Sequence, residues 1–547
     1  MPSAGLSPIQ NRGGSHLSEP DLTLESQPPG LTAPAARVIA RNSVLAAVDT
    51  VAGLLSALVG SVAVARLLGP AKLGYYNYVL FICNITNRLA SLGVPLATRK
   101  YLAEYLGRGD FLAARTIWRW TLRFQSLMAL IVVVLGLAIV AWQVPEGHRL
   151  YAALAVLSLA PAMQMAMYSA ANTATEDFAG NVKSSIVSTV VGLCGLLLAL
   201  LMGWDLPGLA AALLLERTTD LILRRRYSLR RSRYWLQNAS AAATPDQLAR
   251  VSGLKPALRR FCLQASLLQL LNIVVWDRSE MLFLKYFCDI RQVAFYSLGF
   301  NITQRLLLLP RAFVSAVSAS VMVRIGREAQ SAAALTVTAF RLMAFLALPV
   351  SFGVAALSDP VIRILYGSRF LPAIPVLGLL AAFASAKALM FPAQDLLVAA
   401  NRQGALLKIM TFTACLNLFL DFLLIPARGA MGAAVANSVS QTAAAVAVWW
   451  ASLRGFDVRF PLASFSRLLL AAAACGAVAL GFVLWIPGVP GAIAAVAAGA
   501  LAYALGLRLL QPLEPGDREH LSRLEAQLPP PFRKPYRRAL SSLFPAP

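Results

Sequence analysis

Apolar residues in this chain fall in blocks of about 18 to 25, divided by charged or Pro/Gly breaks, and that length matches a hydrocarbon core of roughly 30 Å. Blocks fall at 43–65, 73–95, 120–142, 150–171, 185–203, 206–223, 261–284, 293–318, 338–357, 371–393, 404–425, 429–453, 466–486 and 490–510. Composition agrees: 58% of the 547 residues are apolar and only 14% are charged, against about a quarter charged in soluble domains. The expected fold class is an all-α integral membrane protein of about fourteen transmembrane helices.

A net charge of +24 would point to nucleic acid in a soluble protein. In a membrane protein, basic residues collect on the cytoplasmic side, so no nucleic-acid partner is expected. With an even number of spans, both termini belong in the cytoplasm. The outer connections then hold only Arg66, Lys72, Arg149, Lys285, Arg291, Arg363, Arg369 and Arg428, eight of the 49 Lys and Arg. Six arginines between Arg224 and Arg233 crowd one inner connection. The cysteines and histidines are scattered and show no metal-ligand spacing, and no nucleotide or hydrolase motif is present, so neither enzyme chemistry nor a cofactor is expected. The expected organisation is a disordered cytoplasmic tail (1–36), a six-helix lobe (37–223), a basic linker (224–260), a second six-helix lobe (261–453), an extra helix pair (454–510) and a cytoplasmic tail (511–547).

The two lobes share a pattern. Asn84-Ile85-Thr86-Asn87-Arg88-Leu89 in the second span corresponds to Asn301-Ile302-Thr303-Gln304-Arg305-Leu306 in the eighth, 217 residues later. Ala171-Asn172 and Ala400-Asn401, then Gly208-Leu209-Ala210-Ala211 and Gly432-Ala433-Ala434-Val435, repeat at offsets of 229 and 224. A repeat of six helices implies two bundles of like orientation with a cleft between them.

Ionisable residues at bilayer depth are expensive and usually line a cavity or pair. On the second span Asn77, Asn84, Arg88 and Ser91 share one helical face, as do Asp49, Gly53, Ser56 and Gly60 on the first. A broader polar strip on the eighth holds Ser297, Asn301, Arg305, Arg311 and Ser315. For the small residues, close helix packing is the simpler reading. Arg88 and Arg305 occupy equivalent repeat positions and are expected to face each other across the cleft, where two guanidiniums could hold a pyrophosphate bidentately. With them Asn84, Asn301, Arg311, Lys387 and Arg278 form the candidate substrate-binding set. Arg278 is also explained by a local salt-bridge network with Asp277 and Glu280. Glu216, Arg217 and Asp220, near the inner end of the sixth span, read as structural. Asp49 and Asp421 are the candidates for coupling to an ion.

Three stretches carry a family likeness: Ala65-Arg66-Leu67-Leu68-Gly69-Pro70 with Leu73-Gly74-Tyr75-Tyr76; Asp359-Pro360-Val361-Ile362-Arg363-Ile364-Leu365-Tyr366-Gly367-Ser368-Arg369-Phe370; and Leu423-Leu424-Ile425-Pro426 with Gly429-Ala430-Met431-Gly432-Ala433-Ala434. Together they resemble the polysaccharide-transporter branch of the multidrug/oligosaccharidyl-lipid/polysaccharide exporter superfamily. The resemblance implies a V-shaped, two-lobed bundle in a bacterial inner membrane that flips an undecaprenyl-pyrophosphate-linked oligosaccharide (an O-antigen, capsule or exopolysaccharide unit) by alternating access. Its implied partners are that lipid-linked oligosaccharide, membrane lipids, and the polysaccharide polymerase and chain-length machinery. The extra helix pair resembles the lipid II flippases, which leaves lipid II as an alternative cargo. Cation-coupled drug export and a non-transporting scaffold are the other readings.

Overall fold

The computed structural model describes residues 33–238, 279–306, 329–400, 402–456 and 459–514 with almost no interruption, and isolated positions elsewhere. The chain divides into two compact units, Met1–Val48 and Asp49–Pro547. The first is described from Ala33, where helix α1 begins; the rest of the expected N-terminal tail lies outside the described residues. Every regular element among the described residues is helical.

In chain order the helices are α1 (Ala33–Ala90), α2 (Val94–Gly107), α3 (Phe111–Gln143), α4 (Glu146–Leu157), α5 (Leu159–Ala174), α6 (Phe178–Leu201), α7 (Asp205–Asn238), α8 (Glu280–Phe287), α9 (Ile290–Leu306), α10 (Ala329–Ala356), α11 (Ala373–Ala399), α12 (Gln403–Phe456), α13 (Leu462–Trp485) and α14 (Gly488–Leu510). Each of the fourteen expected spans overlaps one of them, and nine stretches among the described residues are long and apolar enough to cross a bilayer. Two of these are spans fused in pairs. At 1.5 Å per residue the 54 residues of α12 would run about 80 Å, far beyond a bilayer. The helix is divided at Gly429, which takes φ +54 just after Pro426. Likewise α1 divides at Gly69, with φ +77, immediately before Pro70. A left-handed φ favours glycine, and proline withholds the amide that would continue the ladder.

Local signals place other ends. Asp110 accepts a hydrogen bond from the Ala113 amide and Asp177 one from Gly180, each 3.0 Å, capping α3 and α6; each cap contributes about 1 kcal/mol. Arginine and leucine are good helix formers, and nothing in the arginine-rich segment breaks the helix. α7 therefore runs on through Arg224–Arg233 to Asn238, where a connecting loop was expected.

The three largest apolar cores among the described residues hold the bundle. One joins the two halves of the sequence, packing Val64, Leu73 and Phe81 of α1 and Leu209 of α7 with Tyr296 of α9, Phe370, Leu377 of α11 and Ile425 of α12. The second is built mainly from the first half, around Ile117, Trp118 and Met167, and also takes in Leu258 and Cys262. The third belongs to the second half, around Phe340, Leu389 and Trp449. The start of the C-terminal tail is docked as well: Arg341 of α10, buried, makes a bidentate pair with the fully buried Asp517, both bonds 2.9 Å, and reaches Glu514 at 2.9 Å.

Candidate functional site

The two halves of α1 are set at an angle by Gly69, and their polar faces, with α6, α7 and α9, enclose a cavity of about 440 Å³. Gly53, Ser56, Gly60 and Ser61 line it from before the break, and Tyr76, Asn77 and Asn84 from after it. α6 adds Thr189 and Gly192, α7 adds Glu216, and α9 adds Asn301 and Arg305. Both members of the repeat pair, Asn84 and Asn301, thus line the same cavity. Arg305 is half-buried there.

Not every candidate comes to this cavity. Arg88 lies one turn beyond Asn84 and is exposed, outside the lining. Ser91 is buried and accepts a hydrogen bond from Gln125 of α3 at 3.2 Å, so that part of the polar face serves packing. Asp49 sits one turn before Gly53, half-buried and off the lining. Lys387 of α11 donates to Gln304 at 3.1 Å, beside Arg305. Arg278 and Arg311 lie outside the described residues.

Glu216 is the lining residue that the linear reading set aside with Arg217 and Asp220. The latter two do pack: Arg217 donates to Ser158 Oγ at 3.0 Å and Asp220 pairs with Arg224 at 2.6 Å. Glu216 instead lies over Gly192, where a β-carbon would come within 2.6 Å of its Oε2. That glycine leaves the carboxylate room beside the cavity.

Asp421 occupies a second site. It is fully buried on α12, and Glu280 of α8 is buried nearby. Asn417 Nδ2 donates to Asp421 Oδ2 at 2.9 Å and to Ser279 Oγ at 3.4 Å, while Asn437 Nδ2 donates to Glu280 Oε1 at 2.8 Å and Gln441 to Asn437 at 2.9 Å. Asp421 Oδ1 and Glu280 Oε2 are buried with no hydrogen-bond partner among the described residues. Two close carboxylates cannot both stay charged in a low dielectric without a proton or a cation. The donor set is all oxygen, which suits a hard cation; among the described residues no group of three or more His, Cys, Asp or Glu is gathered. The i, i+4 pairs Asn417/Asp421 and Asn437/Gln441 in apolar helices are the sequence signal for it.

The halves close on each other along a seam at one end of the cavity. Arg66, just before the break in α1, donates from Nε to Leu365 O at 2.8 Å and from Nη2 to Ile364 O. Both acceptors lie in a π-helical turn, Ile362–Tyr366. Ser61 and Tyr366 hydroxyls are 3.3 Å apart, and Asn77 Nδ2 donates to Ser297 Oγ at 2.8 Å. Gly74 packs so closely on the start of α9 that a β-carbon would stand 2.1 Å from Ile290 O. Gln292 Oε1 accepts from the Ala430 amide at 3.0 Å, just past the Gly429 break. The first two stretches that carry the family likeness thus meet in this seam, and the third packs behind it against the start of α9.

Comparison with known proteins agrees. A model described as "Polysaccharide biosynthesis protein" matches residues 63–375, and one for lipid II flippase MurJ matches residues 296–497. A sequence search of curated proteins gives no match. Among solved structures, lipid II flippase MurJ in an inward closed conformation aligns with a TM-score of 0.63 at 14% identity, covering 86% of this chain and 98% of that one. An inward-facing multidrug resistance MATE family transporter of the MOP superfamily aligns with a TM-score of 0.61 at 13% identity, covering 74% and 94%. A MOP superfamily transporter from Pyrococcus furiosus, with a binding pocket of reversed polarity, gives 0.53 at 13% identity over 76% and 96%. At these identities the likeness is one of fold.

Proposed function

The chain belongs to the polysaccharide biosynthesis protein family, and from that premise we propose that its cargo is an undecaprenyl-pyrophosphate-linked oligosaccharide, flipped across a bacterial inner membrane by alternating access. One observation carries the reading: Arg305, Asn84 and Asn301 stand together on a polar cavity inside an apolar bundle. A guanidinium binds phosphate oxygens bidentately and stays charged at any working pH, and the asparagines offer both donors and acceptors to sugar hydroxyls. Arg88, one turn further along, would meet the headgroup as it enters, with Lys387 and, by sequence position, Arg278 and Arg311 adding positive charge. The lipid tail would stay in the bilayer. An inside-negative potential favours outward transfer of each negative charge by roughly 2.3 kcal/mol per 100 mV.

In this reading residues 37–223 and 261–453 are the moving lobes, the termini are cytoplasmic, and the Arg66 seam closes the outer end. Polymerase and chain-length machinery would take over the unit at the outer face. The Asp421–Glu280 site is the place for a coupling cation or proton, with Asp49 a second candidate by position. Lipid II is the second reading, favoured by the MurJ model that matches 296–497.

The test is transfer of a labelled lipid-linked oligosaccharide in proteoliposomes. Wild type moves it, and Arg305→Ala slows transfer by about tenfold or more, the worth of a charge-assisted hydrogen bond, with partial recovery in Arg305→Lys. Wild-type protein that moves none, or an Arg305→Ala variant that transports at the wild-type rate, overturns the proposal. Preferential transfer of lipid II over the oligosaccharide lipid would select the second reading.

A further inference from the structure

A second cavity, also about 440 Å³, lies in the other half of the molecule between α10, α11, α12 and α13. It shares no residue with the polar cavity. Phe340 and Trp449, both buried, form its floor, and the exposed Val446, Trp450 and Leu462 form its lip. Polar atoms in the wall are already engaged: Thr442 Oγ1 donates to Ser438 O at 2.7 Å and Trp449 Nε1 to Leu389 O at 2.7 Å. What remains is an aromatic slot suited to an alkyl chain.

The rim is cationic. Arg454 stacks over the Trp450 ring at 4.1 Å, Arg402 lies over Phe456 at 5.1 Å, and Arg459 immediately precedes Phe460, which lines the slot. All three arginines are exposed, and none makes an ion pair among the described residues. Arg402 lies at the α11–α12 connection and Arg454 and Arg459 at the α12–α13 one, both of which charge distribution assigns to the cytoplasm, where a leaflet carries its anionic headgroups.

We propose that this slot is a binding site for an anionic phospholipid, one acyl chain lying against Trp449 and Phe340 and the phosphate held by Arg454 and Arg459. Charge complementarity chooses the headgroup, and separation from the polar cavity makes the occupant a resident lipid of the leaflet, distinct from the transported one.

Tryptophan quenching reads the site directly. Full-length protein in detergent is titrated with brominated phosphatidylglycerol or brominated phosphatidylcholine, and the response missing in a Trp449→Phe/Trp450→Phe variant is assigned to the slot. Half-maximal quenching of that component is expected at a lower concentration of phosphatidylglycerol, an advantage falling about fivefold for each of Arg454→Gln and Arg459→Gln. In unmodified protein the same advantage shrinks as salt is raised, through screening, a readout that needs no variant. Equal quenching by both lipids in unmodified protein overturns the proposal. So does displacement of the brominated lipid by undecaprenyl phosphate at a concentration where unlabelled phosphatidylglycerol displaces none, which would give the slot to the tail of the cargo.

Discussion

Asp421 has no exposed surface and, among the described residues, one carboxylate oxygen without a partner, a state that persists only when a proton or a cation compensates it. Its depth was legible from an acidic residue amid apolar neighbours. Its pairing with Glu280 was not, because the two lie on different helices and only the fold brings them together. Glu216 was obscured for another reason: near the end of a span, snorkelling and cavity lining share one sequence signature, and Gly192 decides between them from another helix. If Asp421 and Glu280 hold a cation, ligand binding stabilises the folded state by mass action. Thermal unfolding in sodium chloride, compared with choline chloride at equal ionic strength, should then occur at a higher temperature for the wild type, and the difference should vanish in Asp421→Asn. A sodium-induced rise of the same size in the variant would rule out this pair as the site.

At the scale of elements, the sequence announces its breaks but not what they are for. Pro70 and Pro426 mark where two long helices must stop, and Gly69 and Gly429 supply the left-handed residues. That these turns then pack against a π-helical turn and the start of α9 depends on tertiary contacts no local pattern encodes. Gly74 tests how tight that packing is. A methyl group there would sit 2.1 Å from Ile290 O and 3.0 Å from its carbonyl carbon, while one at Gly353 of α10 meets nothing within 4 Å. Gly74→Ala should lower stability by about 1–3 kcal/mol through overpacking. Gly353→Ala should be neutral or raise it by up to about 1 kcal/mol, since alanine loses less backbone entropy in a helix. Thermal unfolding in detergent distinguishes them; equal effects of the two substitutions would mean that the Gly74 contact yields without strain.

For the molecule as a whole, the arrangement of the cores has a mechanical consequence. One core joins the two halves where the seam lies, a second is built mainly from the first half but takes in Cys262, and the third belongs to the second half alone, so separating the halves means opening the seam. Its polar contacts suit that task. Ser61 with Tyr366, Asn77 with Ser297, and Arg66 with two backbone carbonyls are neutral or single-sided bonds that water can replace on opening, whereas a buried ion pair would leave two uncompensated charges. Alternating access therefore requires the Asn77–Ser297 contact, 2.8 Å in this state, to break once per cycle. In a background with the six native cysteines replaced, Asn77→Cys with Ser297→Cys, joined by a short thiol-cleavable cross-linker, should stop transport, and reduction should restore it. Transport at the uncross-linked rate while the link is intact would show that the seam stays shut throughout the cycle, and the cargo would then need a path that does not pass between the halves.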